Sequence, residues 1–444
     1  MVVANEIGIP YLWVDKYCID QSNTDEKHSL IRQMDKIYRG AELTIVATAG
    51  QDAELGLPGV SGLARPPQRF LTIGGQRYSV FPDLTERVRK SRWSTRGWTY
   101  QEGLLSRRRL VFTEFQVYFQ CMETHHWEGL DLPLRPPEIK RMGFYRVFPE
   151  DGIGSHSGDI AKRLNEYASR QLTFDSDSLN AFLGILRSSQ QKGVYHVWGI
   201  PFLAAPGASN KNMERSFANA LGWSTRVPGN STRRLGFPSW SWAGWTHLDN
   251  LTVPWVHGLD NLVESMRETR TTAEVHVALS GFFPLKSAAK TVSDYVSKIR
   301  ADDDFSRYSQ TICIAGSTSR CTVHNPWEVS IRDGLPGYLT GFACVPTVRM
   351  MGVPETSYSL LQDKEFAILY LGCQIRSNIV FSFLILDVEP GFSSTLRSCR
   401  AGTLTVVVPS WELVSSVGDS ERGNWIDEER FFVEKWRRES FLLS

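Results

Sequence analysis

A tryptophan and a glutamate that lie one helical turn apart are candidates for binding a ligand or for catalysis. The stretch SRWSTRGWTYQEGLL, residues 91–105, predicts a short helix in which Trp98 and Glu102 lie on the same face. A carboxylate in that position can stabilise a positive charge, and an indole ring can stack on a flat group. The alternative role is structural, with Trp98 in the core and Glu102 paired to a nearby arginine. The candidate arginines are Arg96, Arg107 and Arg108.

A second candidate is the aspartate that ends the apolar run YLWVD (Tyr11–Asp15). This run predicts a short strand, with Trp13 buried in its middle. Ligand contacts in α/β proteins lie at the carboxyl ends of parallel strands, so Asp15 is placed to hold a ligand hydroxyl. For Asp15 a structural role stays equally open, whereas Asp20 is more typical of a residue that caps the next helix.

The other polar groups favour structural roles. GLPGVSG (Gly56–Gly62) matches neither the dinucleotide-binding nor the Walker glycine spacing, so it predicts a tight surface loop. Cys18 and His28 suggest a thiol nucleophile, but Cys18 beside a buried strand is more typical of a core residue. Only half of a zinc site is present in Cys121, His125 and His126, so no metal is predicted.

Around these residues the pattern predicts an α/β domain. SNTDE (Ser22–Glu26) is typical of a helix start, with Asn23 or Thr24 as N-cap, and a 3.6-residue apolar period then runs to a stop at Arg39-Gly40. LTIVATA (Leu43–Ala49) indicates a strand buried on both faces. Together with the YLWVD strand, these elements predict a βαβ unit with a parallel sheet. RRLVFT (Arg108–Thr113) and QVYFQC (Gln116–Cys121) predict a hairpin at the sheet edge.

The rest of the chain predicts two further regions. A Pro-rich linker at Leu132–Pro137 leads to helical spacing over residues 158–190 and to a Trp-rich stretch at Phe237–Trp245. From about residue 274 the pattern is β-rich. The strand candidates are Val275–Leu279, Tyr338–Val345, Phe366–Leu371, Ile379–Val388 and Leu404–Val408. The terminal EERFFVEKWRRESFLL fits a strand or an amphipathic helix. The predicted domains are residues 1–130, 131–260 and 261–444.

The bulk properties narrow the classes of function. With 49 basic and 48 acidic residues the net charge is +1, so no global field attracts nucleic acid, and none is expected as a partner. The Arg107–Arg109 run is typical of a solvated edge or of local ion pairs. Seven cysteines without a C-x-x-C pair indicate a reducing compartment. With no signal peptide and no apolar stretch long enough for a membrane span, we expect a soluble, cytoplasmic protein.

Several blocks, in this order, resemble the fungal heterokaryon-incompatibility (HET) domain family. They are YLWVDKYCIDQ, a helix ending in IYRGA, TIVA, GLPGVSG, RGWTYQE, LLSRRRLVF and QVYFQC, followed further on by FPSWSWAGW. The resemblance covers residues 5–125 closely and reaches loosely to about residue 250. The family pattern usually begins well upstream of YLWVD, so we expect the first strand of the family fold to be missing from this chain, through a truncated gene model or a natural relic.

The resemblance implies a fold and a chemistry. The HET fold is similar to Toll/interleukin-1 receptor (TIR) domains, which implies a partly parallel sheet with flanking helices. Some TIR domains cleave NAD with one glutamate that follows a tryptophan by a few residues, and RGWTYQE places Trp98 and Glu102 at the matching point. By this resemblance Glu102 is the catalytic residue, Trp98 stacks on a flat ring and Asp15 holds a ribose hydroxyl. NAD is then a substrate, and no cofactor is implied.

The resemblance also implies a biological role. HET proteins act in fungal self/non-self recognition, a form of innate immunity that ends in programmed cell death. The expected partners are other proteins or further copies of this chain. The alternatives are a non-enzymatic signalling module that works by self-association and an inactive, truncated relic.

Overall fold

The chain divides into two compact units by its internal contacts. A computed structural model describes residues 1–20, 22–52, 54–67, 70–79, 83–129, 146–156, 158–204, 210–254, 269–270, 274–279, 289–292, 296, 308–333, 345–375, 378–389, 396–409 and 435–443. The N-terminal unit comprises Met1–Ser155 and Arg170–Ser188, and the C-terminal unit comprises His156–Ser169 and Ser189–Ser444. The three-part division expected from the sequence stays a prediction.

The secondary structure alternates helices and strands early and is dominated by strands late. The described α-helices are α1 (Val2–Glu6), α2 (Asp15–Cys18), α3 (Thr24–Ile31), α4 (Met34–Gly40), α5 (Leu84–Lys90), α6 (Arg92–Thr95), α7 (Trp98–Leu105), α8 (Asp159–Ala168), α9 (Asp177–Gln190) and α10 (Asn210–Ala220). The described strands of the first half are β1 (Thr44–Ala47), β2 (Phe70–Ile73), β3 (Gln76–Ser79), β4 (Arg108–Phe112), β5 (Val117–Cys121), β6 (His125–Trp127), β7 (Val194–Val197) and β8 (Ile200–Leu203). Those of the second half are β9 (Thr269–Arg270), β10 (Glu274–Leu279), β11 (Ala289–Thr291), β12 (Tyr308–Asn325), β13 (Glu328–Ile331), β14 (Val345–Met350), β15 (Glu365–Ile375), β16 (Asn378–Val388), β17 (Leu396–Pro409) and β18 (Arg437–Leu443).

The sheet of the N-terminal unit has the order β1-β4-β5-β6. β1 runs parallel to β4, with Val46 opposite Val111, and β4, β5 and β6 follow as antiparallel neighbours. The β4–β5 hairpin is as predicted, but it lies inside the sheet and not at its edge. The LTIVATA strand is parallel to a neighbour, but that neighbour is β4 and not the expected YLWVD strand. The mixed α/β class is confirmed at this level.

The predicted YLWVD strand is wrong. Tyr11–Val14 pairs with none of the described strands, and Asp15–Cys18 forms the short helix α2. Local hydrogen bonds explain the difference, because the Val14 carbonyl accepts from the amides of Tyr17 and Cys18, and the Asp15 carboxylate accepts from the next amide. The βαβ unit expected from this segment is wrong for the same reason. Trp13, expected to be buried, is partly exposed.

The predicted helix that follows α2 begins and ends at the expected residues but is interrupted in the middle. Asn23 is the N-cap of α3, since its side-chain oxygen accepts from the Glu26 amide at 3.1 Å and its amide group donates to the Glu26 carboxylate. A turn at residues 32–33 separates α3 from α4. α4 ends at Gly40, as the Arg39-Gly40 signal indicates.

The core of the N-terminal unit holds the side chains that support the candidate site. Its buried members are Val46, Leu84, Val88, Trp93, Val111, Tyr118, Trp127 and Phe148. They come from the sheet, from α5 and α6 and from the segment after β6. Burial of aromatic and aliphatic area of this kind contributes most of the stability of such a unit.

The C-terminal unit combines buried tryptophans with a large, mostly antiparallel sheet. Trp223, Trp240 and Trp242 are fully buried, the last two in the predicted Trp-rich stretch. In the described part of the sheet the strands follow the order β11-β10-β12-β18-β17-β16-β15-β9, with β13 and β14 attached to β12 and β17.

The sequence predictions for this half of the chain agree with the structure where they fall on described residues. Four predicted strands correspond to β10, β15, β16 and β17, and the described end of the terminal segment contains the strand β18. The predicted helical region appears as α8 and α9. The linker Leu132–Pro137 and most of the strand Tyr338–Val345 lie outside the described residues. Within the part of the chain that is described, no helix has the length and apolarity needed to cross a bilayer.

Candidate functional site

Helix α7 carries the two residues singled out by their spacing. Gly97 precedes it, and the helix runs from Trp98 to Leu105 with a largely buried surface. Trp98 and Glu102 lie one turn apart on one face, as predicted. Both side chains are partly exposed, whereas their neighbours Thr99, Gln101 and Gly103 are buried. The candidate residues therefore lie at the boundary between the core and the surface.

A buried arginine fixes the carboxyl end of α7. Arg109, on β4, donates hydrogen bonds to the main-chain carbonyls of Gly103 and Leu104, and its guanidinium lies 4.8 Å from the centre of the Phe148 ring. A cation is favourable at the negative end of a helix dipole. Burial lowers the pKa of Arg109 to about 10, which leaves it charged at neutral pH. Arg109 thus holds the turn that carries Glu102.

The Glu102 carboxylate accepts a hydrogen bond from the indole of Trp93. The distance from Trp93 Nε1 to Glu102 Oε1 is 3.1 Å. The Trp93 ring is itself held edge-on against Phe148, with ring centres 6.0 Å apart. Gly103 permits this approach, because a Cβ atom at that position would lie 2.7 Å from the Trp93 ring. The indole donor is therefore positioned before any ligand arrives.

Burial makes Glu102 an unusual acid. Desolvation raises its pKa to about 7 from an ordinary 4.5, and the negative charge of Asp15 acts in the same direction. The Trp93 hydrogen bond and the positive charge of Arg96 oppose this rise. The carboxyl consequently changes its charge close to neutral pH, which is typical of groups at functional sites.

Two further side chains share the electrostatic environment of Glu102. α4 packs against α7, and Tyr38 on α4 has its pKa raised by burial and then by the charges of Glu102 and Asp15, while Arg96 lowers it. Five residues from four segments therefore act on one another. We call them the Glu102 cluster: Asp15, Tyr38, Trp93, Arg96 and Glu102.

The structure thus places Asp15 within electrostatic reach of Glu102, although Asp15 lies on the helix α2 and not at a strand end. Trp98 lies on the Glu102 face of α7 but directs its indole N–H elsewhere, to the Asp177 carboxylate at 3.0 Å. The roles of Glu102, Asp15 and Trp98 in binding or catalysis stay predictions.

The arginines proposed as structural partners of Glu102 have other surroundings. Arg108 forms an ion pair with Glu42 at 2.7 Å. Arg107 is exposed. Arg96 acts on Glu102 through its charge, but no ion pair joins the two among the described residues. The hydrogen bond from Trp93 is the contact that holds the carboxylate.

Sequence reasoning missed Trp93 and Tyr38 as members of the site. Tyr38 belongs to the apolar period of its helix, which identified it only as a residue facing inwards. Trp93 lies nine positions before Glu102, a spacing that no local pattern associates with contact. Its signal was the concentration of tryptophans at residues 93 and 98 around one carboxylate.

The other candidate residues from the sequence do not belong to the Glu102 cluster. The GLPGVSG segment is a loop, as predicted, and Arg65 ties it down by donating to the Pro58 carbonyl and pairing with Glu128. Cys18, expected in the core, is exposed at the end of α2, because the strand that would have buried it does not form. The side chain of His28 lies outside the described residues. Within the described chain no three His, Cys, Asp or Glu side chains form a metal-binding group.

Comparison with known proteins supports the family resemblance for the N-terminal part of the chain. Residues 1–102 match the model of the family described as Heterokaryon incompatibility protein (HET). The match ends at Glu102 and includes every member of the Glu102 cluster. Searches of curated proteins and of solved structures found no match.

Proposed function

We propose that this protein triggers regulated cell death by hydrolysing NAD, in a function of the heterokaryon-incompatibility type, because residues 1–102 match the model of the HET family. Fungal self/non-self recognition is the setting that the family suggests. In this proposal the N-terminal unit is the effector, and association with further copies or other proteins activates it.

The reaction requires the bond between the nicotinamide nitrogen and ribose C1′ to break. Nicotinamide leaves with the bonding electron pair as a neutral molecule, and the ribose becomes an oxocarbenium-like cation. Water then adds to C1′ and releases a proton. The products are ADP-ribose and nicotinamide. The main task of the protein is to stabilise the positive charge that develops on the sugar.

Three members of the cluster, Glu102, Trp93 and Asp15, and the neighbouring Trp98 have roles in this chemistry. The Glu102 carboxylate faces the sugar and stabilises the cation or forms a transient bond to C1′. Trp93 holds that carboxylate in position through its N–H, and Asp15 accepts a hydrogen bond from a ribose hydroxyl. Trp98 offers part of its ring surface to a flat base while Asp177 fixes its N–H.

The observation that carries the proposal is the state of Glu102. Desolvation raises its pKa to about 7 although the Trp93 hydrogen bond and the charge of Arg96 lower it, and among the described residues no arginine forms an ion pair with it. A desolvated carboxylate gains more from a neighbouring cation than a hydrated one does. Such an arrangement costs stability and is the kind found where a developing positive charge is to be stabilised.

The test is NAD consumption by the purified full chain, alone and fused to a forced oligomeriser, with Glu102→Gln as the matched variant. We expect the oligomeric parent to consume NAD and to be toxic when expressed in a fungal host. Glu102→Gln should consume NAD about 100- to 1000-fold more slowly. A parent protein that leaves NAD intact in both forms, or a variant that matches its rate, refutes the proposal.

A non-enzymatic interaction module is the second candidate, and one observation favours it. The β2–β3 hairpin exposes large apolar side chains, with Leu71 58% and Ile73 65% exposed. An uncharged, exposed strand is a site for pairing with another chain. Ile73→Lys should then abolish self-association in sedimentation measurements and abolish toxicity together with it. Toxicity that survives in Glu102→Gln but is lost in Ile73→Lys would establish this second function.

A further inference from the structure

The C-terminal unit carries a surface cleft of about 670 Å³. This volume lies in the range of small-ligand sites, about 300–1,000 Å³. One wall is the carboxyl end of α8, and the other is a short ribbon made of residues 224–227 and 249–252. The polar residues of the described lining are Asn165, Glu166, Ser169, Arg226, Asp249 and Asn250.

The α8 wall is fixed to the core and has its negative charge compensated. Tyr167 packs edge-on against Trp242, with ring centres 5.8 Å apart, and both rings are buried. Both carboxylate oxygens of Glu166 accept from Arg163 Nη1, at 3.0 and 2.9 Å, and Arg163 is itself buried. Because this ion pair lies within the wall, Glu166 brings little net charge to the cleft.

The ribbon wall presents two opposite charges from a fixed backbone. Ser224 and Thr252 exchange main-chain hydrogen bonds of 2.8 and 2.7 Å, and the Arg226 amide donates to the Asp249 carbonyl at 3.1 Å. The Arg226 and Asp249 side chains are exposed in the cleft. Although their backbones are in contact, no ion pair joins them, and neither has another charged partner among the described residues. The cleft therefore offers one cation and one anion that do not satisfy each other.

We propose that this cleft binds a small zwitterion, a molecule that carries both an ammonium and a carboxylate group, as free amino acids and short peptides do. The planar guanidinium of Arg226 donates two parallel hydrogen bonds to the carboxylate, and the Asp249 carboxylate accepts from the ammonium. This inference does not rest on NAD hydrolysis, since the cleft belongs to the other unit of the chain.

The charges of the lining disfavour other small ligands. A simple anion meets the carboxylate of Asp249, and a simple cation meets the guanidinium of Arg226. A neutral sugar leaves both charges without a counter-charge, and the apolar residue of the described lining, Val227, is aliphatic and has no flat ring face. The amides of Asn165 and Asn250 supply donors and acceptors for a polar side chain or a peptide group.

The experiment measures binding to the full-length protein by ligand-observed NMR at pH 6.5 and low salt, where an α-ammonium is charged. Glutamine and triglycine are the zwitterions, and they distinguish a free amino acid from a peptide. N-acetylglutamine lacks the ammonium, and glutaminamide lacks the carboxylate. The parent should bind glutamine or triglycine, and should bind glutamine about 5- to 10-fold more tightly than either blocked form if the ligand is a free amino acid. If it is a peptide, acetylated and amidated triglycine give the same comparison.

Two variants assign each charge to its partner. Arg226→Gln should abolish the preference for the zwitterion over its amide but keep the preference over its acetylated form. Asp249→Asn should do the reverse. Arg437→Gln and Asp363→Asn, which change exposed residues of the same unit, should bind as the parent does. The ribbon is held by main-chain bonds, so both test variants should melt with the parent.

The blocked ligands keep the test valid even if a variant folds poorly, because they are compared on the unchanged parent. A parent that binds neither glutamine nor triglycine at about 10 mM overturns the proposal. Equal affinity for the zwitterion and its blocked forms overturns it as well, and so does a preference for glucose over both zwitterions. Any of these results leaves the NAD proposal unaffected, because they concern the C-terminal unit alone.

Discussion

The Glu102→Gln substitution is expected to stabilise the folded protein above pH 7. In the folded state the carboxyl has a pKa of about 7 against an ordinary 4.5, so the fold favours its neutral form. Its contribution to stability is fully present below the ordinary pKa and is lost as the pH rises through the folded value. The difference corresponds to a cost of up to about 3 kcal/mol for the ionised group. Glutamine stays neutral and never incurs this cost.

The substitution preserves the remaining interactions. The amide oxygen of glutamine accepts the Trp93 N–H as the carboxylate does, and glutamine suits the helix equally well. Because Glu102 is partly exposed, we expect a gain of about 1–3 kcal/mol at pH 8 and a rise of a few degrees in melting temperature. Below about pH 4.5 the two proteins should melt together.

Circular dichroism melting curves from pH 4 to pH 8.5 measure this difference. The control is Glu114→Gln, which changes an exposed glutamate of the same unit and should give a difference near zero at every pH. A Glu102→Gln protein that melts several degrees below the parent at pH 8 would refute the reasoning. It would mean that Glu102 stabilises the fold as a structural ion-pair partner.

Four further substitutions test other side chains of the N-terminal unit. Trp93→Phe removes the N–H donor to Glu102, worth about 1 kcal/mol, so the midpoint of the pH–rate profile should rise by about 0.7 pH unit. Arg109→Met leaves the carbonyls at the end of α7 without donors and should cost about 2–4 kcal/mol in urea unfolding, whereas Arg108→Met, at an exposed ion pair, should cost less than about 1 kcal/mol. Trp13→Ala should cost about 1–2 kcal/mol, below the roughly 3–5 kcal/mol of a buried tryptophan, because Trp13 is partly exposed.

Opposite outcomes would contradict particular contacts. An unchanged pH midpoint in Trp93→Phe would mean that the indole does not stabilise the charged carboxylate. Equal costs for Arg108→Met and Arg109→Met would contradict the buried cap. A Trp13→Ala protein that unfolds on expression would favour the sequence prediction of a strand in which Trp13 is buried.

Local signals in the sequence were sufficient for the elements around the site. The spacing of Trp98 and Glu102 predicted a shared helix face, and the two β-rich runs at Arg108–Thr113 and Gln116–Cys121 predicted the hairpin. Each of these features depends on residues within about one turn or one strand of each other. The Asn23 cap followed from a pattern of the same short range.

Interactions between distant segments were not predictable in this way. A helical period shows that Tyr38 faces inwards, but not that α7 lies opposite. The Arg107–Arg109 run was expected at a solvated edge or in local ion pairs, yet its members have three different environments: Arg107 is exposed, Arg108 pairs with Glu42, and Arg109 is fully buried. Alternation along a strand predicts opposite faces. It does not show which face meets the end of a helix.

The strand predicted for Tyr11–Asp15 was wrong for a different reason. Apolar composition favours a strand, but a strand also requires a neighbour to satisfy its backbone groups. Here the carbonyl of Val14 and the carboxylate of Asp15 bond within the next four residues instead. The run therefore continues into the helix α2, and Asp15 acts on Glu102 through its charge from this helix and not from a strand end.

The most direct test of the account is the rate of nicotinamide release from NAD by the forced-oligomeric full chain between pH 5.5 and pH 8.5. If the ionised Glu102 performs the chemistry, kcat/KM should rise about fivefold between pH 6 and pH 7 and level off above pH 8, with a midpoint near the Glu102 pKa of about 7. Glu102→Gln should release nicotinamide about 100- to 1000-fold more slowly, without that midpoint. A parent profile that is flat or falls with pH, or a Glu102→Gln protein with the same profile, would contradict the central claim.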